Sequence, residues 1–244
     1  VALGLAAAAL WRWWRARRAS DALAGTLAKP DAADAEEAVL GKRMQDAIAQ
    51  LKGHAGGKRD YLYQRPWYVI IGPPGAGKTT ALTNSGVRFP WADGSLKGVG
   101  GTRSLDFWFA DEAVLLDTAG RYTTQDSDAT VDAAGWQRFL RLLRRMRPLE
   151  PINGVIVAIG ADTLINGDRA ELDTHIAAIH RRLVELGQLL QVSAPVYLLI
   201  TKADLMAGFT EFFGDLSAEG RRAVLGATLD PAASASAISL IGAY

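Results

Sequence analysis

An apolar strand pattern that runs directly into a glycine-rich loop constrains the fold of this chain more than any other feature. Trp67–Ile71 is a β-branched apolar run typical of a strand buried on both faces, and a short helix is predicted over Lys78–Ser85. Between them the sequence fits the phosphate-loop pattern G-x-x-x-x-G-K-[ST]. The candidate nucleotide-binding residues are Gly72, Pro73, Pro74, Gly75, Ala76, Gly77, Lys78, Thr79 and Thr80. A glycine-rich turn that joins strand to helix and binds nothing is the plainer alternative.

The residue types in this loop suit a nucleoside triphosphate bound with Mg²⁺. Glycines allow the tight turn that points backbone N–H groups at phosphate oxygens, and the following helix directs the positive end of its dipole the same way. Lys78 would place a positive charge between the terminal phosphates, where it would also act in catalysis. The Thr79 hydroxyl would ligate Mg²⁺.

Composition limits what the rest of the chain can be. Its 244 residues suffice for one large α/β domain with an appendage. The net charge of +1 is not the strongly basic balance of a nucleic-acid-binding protein, so we expect no nucleic-acid partner. Because the chain has no cysteine, it has neither a disulfide framework nor a thiolate metal site.

The first 60 residues suggest a membrane-proximal segment ahead of the globular domain. Residues 1–18 combine an apolar run with three tryptophans and four arginines, which is typical of the cytoplasmic end of a transmembrane helix. A basic amphipathic helix lying on a surface is the alternative. Residues 19–60 fit a helical stalk and fit equally a helix packed onto the domain. Their apolar stripe is Ala38, Leu40, Met44, Ile48 and Leu51.

A second motif follows a predicted hairpin of two apolar runs, 105–110 and 113–116. The second run ends in Asp117-Thr-Ala-Gly120, 39 residues after Lys78. Asp117 would hold Mg²⁺ through water, and the Gly120 N–H would contact the terminal phosphate. Thr102 is a candidate switch threonine that completes the Mg²⁺ shell when that phosphate is present, the alternative being an ordinary loop threonine.

Further along the chain, helical and strand patterns alternate. The pattern of residues 131–147 predicts a helix with an apolar seam and a solvated arginine face. The alternative is that the arginines bind a partner or an acidic-lipid surface. These arginines are Arg138, Arg141, Arg144, Arg145 and Arg147. A strand is predicted over 154–160, then a helix docked on the sheet, and a last buried strand over 195–200.

The third motif is Thr201-Lys-Ala-Asp204, at the end of that last strand. The Asp204 carboxylate can accept hydrogen bonds from the N1–H and 2-amino group of guanine, and the Lys202 stem can lie along the base plane. Adenine lacks these donors and would leave the carboxylate unpaired. We therefore expect a nucleotide site for GTP or ATP with a preference for GTP, Thr201, Lys202 and Asp204 contributing to it.

The three motifs in this order resemble the guanine-nucleotide-binding G domain. That resemblance implies an α/β fold of the P-loop NTPase class, with a doubly wound, mostly parallel sheet that binds nucleotide at the strand C-termini. The segments RPWYVIIGPPGAGKTTALTNSGVRFP, GVGGTR, LLDTAGRYTTQDS, PINGVIVAI and TKADLMAGFTEFFGDL are similar to the cytoplasmic domain of the IcmF/TssM family, an inner-membrane component of bacterial type VI secretion systems. The similarity covers about residues 61–226; the structure of 227–244 is left open.

Membership of that family would imply a place in a trans-envelope hetero-oligomer. The expected partners are other membrane-complex components and the baseplate, with an anchor in the bacterial inner membrane and this region on the cytoplasmic side. One position departs from small G proteins: Arg121 follows Gly120, where a water-orienting glutamine would stand. Arg121 would either stabilise transition-state charge or lie on the surface. Slow Mg²⁺-dependent hydrolysis and a docking platform without turnover are therefore both open.

Overall fold

The computed structural model describes residues 35–54, 60–90, 105–125, 129–217, 219–220, 223 and 225–228. The chain consists of two compact units, of which the first ends at Leu205 and the second begins at Met206. The expectations for residues 1–18, for Thr102 and for 229–244 lie outside the described residues. Within the described ranges, no helix combines the length and the apolar character needed to cross a membrane.

The first unit is an α/β structure, as the alternating patterns predict. Its strands are β1 (Trp67–Ile71), β2 (Leu105–Phe109), β3 (Val114–Thr118), β4 (Gly154–Gly160) and β5 (Val196–Thr201). Its helices are α1 (Ala35–His54), α2 (Lys78–Asn84), α3 (Gly120–Thr124), α4 (Ala129–Met146), α5 (Ala161–Asn166) and α6 (Arg169–Leu190), with 3₁₀ turns at Tyr61–Tyr63 and Ala203–Leu205. The bounds of β1 and β4 are those that the apolar runs predict.

The five strands form one mixed, mostly parallel sheet in the order β2-β3-β1-β4-β5. Only β2 runs antiparallel, paired with β3 in the predicted hairpin. Strands β3, β1, β4 and β5 are parallel, so their C-terminal ends meet at one edge of the sheet. The residues at and after the C-terminal ends of β1, β3 and β5, which carry the three motifs, are thereby brought to the same edge of the sheet.

Helix α1 packs onto the domain, which is the second of the two arrangements that its stripe allows. Leu40, Met44, Ile48 and Leu51 are all buried in the cluster that also holds Trp67 of β1. Fully burying aliphatic side chains of this size stabilises a fold by about 1.5–3 kcal/mol each. This apolar stripe therefore faces the sheet rather than solvent.

Helix α4 shows the predicted apolar seam, but not all of its arginines lie on a solvated face. Trp136, Phe139 and Leu143 are buried against the sheet. Arg147, just past the end of the helix, is fully buried, with its guanidinium 4.8 Å from the Trp67 ring and 5.1 Å from the Tyr63 ring. Burial lowers the pKa of Arg147 to about 10, so the side chain stays charged at neutral pH and the aromatic faces partly replace its solvent.

Strand β5 forms where predicted, but the prediction that it is buried is wrong for the described structure. Its first five residues are exposed, Leu198 by 62%. Among the described strands it pairs only with β4, at the end of the strand order. An apolar run does not distinguish an edge strand from a central one, because periodicity carries no information on the neighbours.

The second unit contains one described helix, α7 (Phe209–Gly214). Three phenylalanines contact one another here, with ring centroids 4.5 Å apart for Phe209 and Phe213 and 4.9 Å for Phe212 and Phe213.

Candidate functional site

The predicted phosphate loop joins β1 to α2 and has the backbone conformation that its glycines allow. Gly75 and Gly77 adopt left-handed φ angles of 75° and 73°, which side chains with a Cβ rarely adopt. At Gly72 the constraint is close approach instead: a Cβ there would lie 2.2 Å from the carbonyl oxygen of Ala158 on β4. The loop is therefore turned tightly against the end of the sheet.

Lys78 lies inside this loop rather than on its surface. The residue is 8% exposed, and its Nζ donates to the carbonyl oxygens of Gly72 at 2.8 Å and Pro73 at 3.1 Å. Burial lowers the pKa of the Lys78 ammonium, and the nearby Asp117 carboxylate partly offsets this effect. The cationic head is thus held in the concave side of the loop.

The predicted metal ligands of the first two motifs are adjacent. Thr79, at the start of α2, donates its hydroxyl to Oδ2 of Asp117 at 2.5 Å. Asp117 is fully buried near the C-terminal end of β3 and pairs in register with Ile70 of β1. A hydroxyl and a carboxylate at this separation are oxygen donors of the kind that Mg²⁺ uses.

Gly120 brings the second motif into direct contact with the phosphate loop. A Cβ at this position would lie 2.4 Å from the backbone nitrogen of Pro74 and 2.9 Å from the carbonyl carbon of Pro73. Thr123, one turn further on α3, accepts a hydrogen bond from the Gly72 N–H at 3.0 Å. Thr123 belongs to none of the three motifs. The only sequence feature that points to this contact is a hydroxyl side chain three residues after Gly120.

Thr201 of the third motif also contacts the phosphate loop. Thr201 is 8% exposed, and its hydroxyl lies 2.6 Å from the carbonyl oxygen of Ala76 and 3.2 Å from that of Ile159. The loop is therefore held by a hydroxyl from β5 as well as by α3.

Lys202 has a left-handed φ of 54°, and its ammonium donates to Oδ2 of Asp162 at 2.8 Å. This hydrogen bond is the main reason that the pKa of Asp162 lies below its ordinary value. Asp162 stands at the start of α5, just after β4, and no motif in the sequence points to it. Asp204 is exposed and lines the same cleft.

Arg121, the residue in the position of the water-orienting glutamine, donates to Oδ1 of Asp132 on α4 at 2.6 Å. The Asp132 side chain is 1% exposed, whereas that of Arg121 is 29% exposed. Arg121 therefore borders the cleft while its guanidinium is tied to a buried carboxylate behind it.

These elements surround a cleft of about 1140 Å³, large enough for a nucleotide. Residues of all three motifs line it, together with the apolar side chains of Leu199, Ile200 and Leu205. The motif residues on its wall are Pro74, Gly75, Gly77, Lys78, Thr79, Thr80, Thr118, Ala119, Gly120, Thr201, Lys202 and Asp204.

Two comparisons with known proteins bear on this site. The IcmF-related N-terminal domain family matches residues 129–241, which include the third motif. A stretch of 209 residues, 82% of the chain, is 54% identical to the type VI secretion system component TssM1 of Pseudomonas aeruginosa. The chain spans 19% of the length of that relative.

Proposed function

Because this chain belongs to the IcmF/TssM family, we propose that it is the nucleotide-binding region of a type VI secretion membrane-complex protein. The region binds a nucleoside triphosphate, GTP or ATP, with Mg²⁺ and hydrolyses it slowly. One observation carries the proposal: residues of the second and third motifs all contact the phosphate loop. Asp117 accepts a hydrogen bond from Thr79, Gly120 lies against Pro74, and the Thr201 hydroxyl lies 2.6 Å from the Ala76 carbonyl oxygen. A glycine-rich turn that binds nothing has no need of these three contacts.

The residues present fit a Mg²⁺-bound triphosphate. Lys78 is buried, and its ammonium donates to two carbonyl oxygens of the loop. Phosphate oxygens are stronger acceptors for an ammonium than carbonyls are. Thr79 and Asp117 would hold Mg²⁺, which when bound neutralises phosphate charge. The loop N–H groups bind and orient the phosphates, so that catalysis is positional and electrostatic.

The third motif supports a base site, with GTP as the preferred nucleotide. Lys202 is held by Asp162, and Asp204 lines the cleft with a free approach from solvent. The apolar side chains of Leu199 and Leu205 offer one wall for a base. The sheet order is consistent with this placement. Strands that follow β1 in the chain lie on both sides of it, and open α/β sheets bind ligands at such a switch point.

A docking platform that binds nucleotide without turnover is the second candidate, and the Arg121 geometry favours it. The guanidinium that would otherwise stabilise transition-state charge is bound to Asp132. Measuring phosphate release in the presence of Mg²⁺ separates the two candidates. A platform would bind the nucleotide and release phosphate at the background rate.

The family also supports a location and partners for the full-length protein. We place it in the bacterial inner membrane, in a hetero-oligomer with other secretion components, with the present region on the cytoplasmic side, where GTP and ATP are available. A reporter fused after residue 60 of the full-length protein tests the orientation. Periplasmic reporter activity would overturn it.

Lys78→Ala tests phosphate binding itself. The variant should lose triphosphate binding, because the charge-assisted hydrogen bonds to phosphate disappear. It should still fold, with a lower free energy of unfolding, because the Gly72 and Pro73 carbonyls lose their donor. Lys52→Ala, on an exposed position of α1, is the matched control and should bind normally. Unchanged affinity of Lys78→Ala in a titration with a fluorescent triphosphate would refute the phosphate-loop assignment.

A further inference from the structure

Helix α1 is attached to the first two residues of β2 by one arginine. Arg43 donates from Nη1 to the carbonyl oxygen of Leu105 at 2.6 Å and to Oδ1 of Asp106 at 2.5 Å. The Asp106 side chain is 2% exposed, whereas that of Arg43 is 31% exposed. A carboxylate this deeply buried is stable only with a partner for its charge, and α1 supplies that partner.

Asp106 is also the direct cross-strand neighbour of the proposed metal ligand. In the antiparallel pair of β2 and β3, Asp106 lies opposite Asp117. Side chains at opposed positions point to the same face of a sheet, with their Cβ atoms about 4.5–5.5 Å apart, and like charges placed so repel each other. Two buried carboxylates thus share one side of the site, one neutralised by Arg43 and the other hydrogen-bonded to Thr79.

We propose that Arg43 and Asp106 are positioning residues that set the affinity of the neighbouring Mg²⁺ site and couple it to helix α1. This inference rests on the proposed function. The negative charge of Asp106 attracts a divalent cation to the Asp117 site. Arg43 cancels most of that attraction while α1 is packed against β2. A displacement of α1 from β2 would expose the charge of Asp106 to the site and strengthen cation binding.

The coupling is reciprocal, as linkage requires. If loss of the Arg43 contact strengthens cation binding, then a bound cation weakens the Arg43 contact by the same factor. Occupation of the nucleotide site would therefore loosen α1 at the edge of the sheet. Helix α1 would then respond to nucleotide through its contact with β2.

The test uses the opposite signs of the two charges. In Arg43→Gln the Mg²⁺ concentration for half-maximal binding of a fluorescent GTP or ATP analogue should fall roughly three- to tenfold, and in Asp106→Asn it should rise by a similar factor. The double variant should return close to wild type. Arg141→Gln, an exposed arginine on α4, is the control and should leave the midpoint unchanged.

Unfolding of the nucleotide-free, Mg²⁺-free proteins is the second readout. Arg43→Gln should be less stable than the double variant, because it leaves the Asp106 carboxylate buried and unpaired. If Arg43→Gln does not fold, the inference is tested with Arg43→Lys, which keeps the charge, and with Asp106→Asn. Arg43→Lys should leave the Mg²⁺ concentration for half-maximal nucleotide binding near that of the wild type, and Asp106→Asn should raise it.

Shifts of the same sign in the two single variants, or no shift, would overturn the inference and leave the proposed function intact. A wild-type protein that binds no nucleotide, or binds it without regard to Mg²⁺, would overturn both.

Discussion

Gly120→Ala tests whether the second motif abuts the phosphate loop. The added Cβ would lie 2.4 Å from the Pro74 nitrogen, 2.5 Å from the Pro74 Cα and 2.9 Å from the Pro73 carbonyl carbon. All three are backbone atoms, and two belong to a proline whose φ is locked by its ring. The loop therefore has to move by about 1 Å before ordinary contact distances return, since no flexible side chain can give way.

The expected cost has two parts. Overpacking of a close-fitting contact lowers the free energy of unfolding by about 1–3 kcal/mol. Displacement of the loop amides should also weaken triphosphate binding by about ten- to hundredfold, which corresponds to about 1.4–2.8 kcal/mol. Urea unfolding measures the first quantity, and a titration with a fluorescent triphosphate measures the second.

Gly41→Ala is the matched control, because a Cβ at this α1 position meets no atom within 4 Å. Alanine is the better helix former by about 0.5–1 kcal/mol, so this variant should be slightly more stable and bind normally. The reasoning would be refuted if Gly120→Ala matched the wild type in both stability and affinity.

Three further predictions concern the third motif and its neighbour. Thr201→Val leaves the Ala76 carbonyl without its buried donor and should lower the free energy of unfolding by about 1–3 kcal/mol in urea, whereas Thr201→Ser should not. Asp204→Asn should weaken GTP by about ten- to hundredfold and improve xanthosine triphosphate. Equal displacement of a labelled nucleotide by ATP and GTP would mean that the base is not read. The Lys202 hydrogen bond lowers the pKa of Asp162, so its stabilisation is present above the ordinary value of 3.8 and is lost as the pH falls through the lowered one. The melting-temperature difference between wild type and Asp162→Asn should therefore shrink below about pH 4, and a constant difference would contradict this.

The chain order of strands, loop and helices could be predicted from the sequence because it depends on local patterns. The apolar runs at 67–71 and 154–160 match β1 and β4 residue for residue. Each motif lies at the C-terminal end of a strand. Because the C-terminal ends of parallel strands meet at one edge, a parallel sheet brings the three motifs together.

The contacts between distant residues were decided only by the packing of these elements. Arg147 has the same residue type as the exposed Arg145 two positions earlier, yet it is buried between Tyr63 and Trp67. The Arg43–Asp106 pair joins residues 63 positions apart, and the Thr201 contact with Ala76 spans 125. Periodicity reports which side of its own element a residue occupies, whereas burial and charge pairing depend on which other element lies against that side.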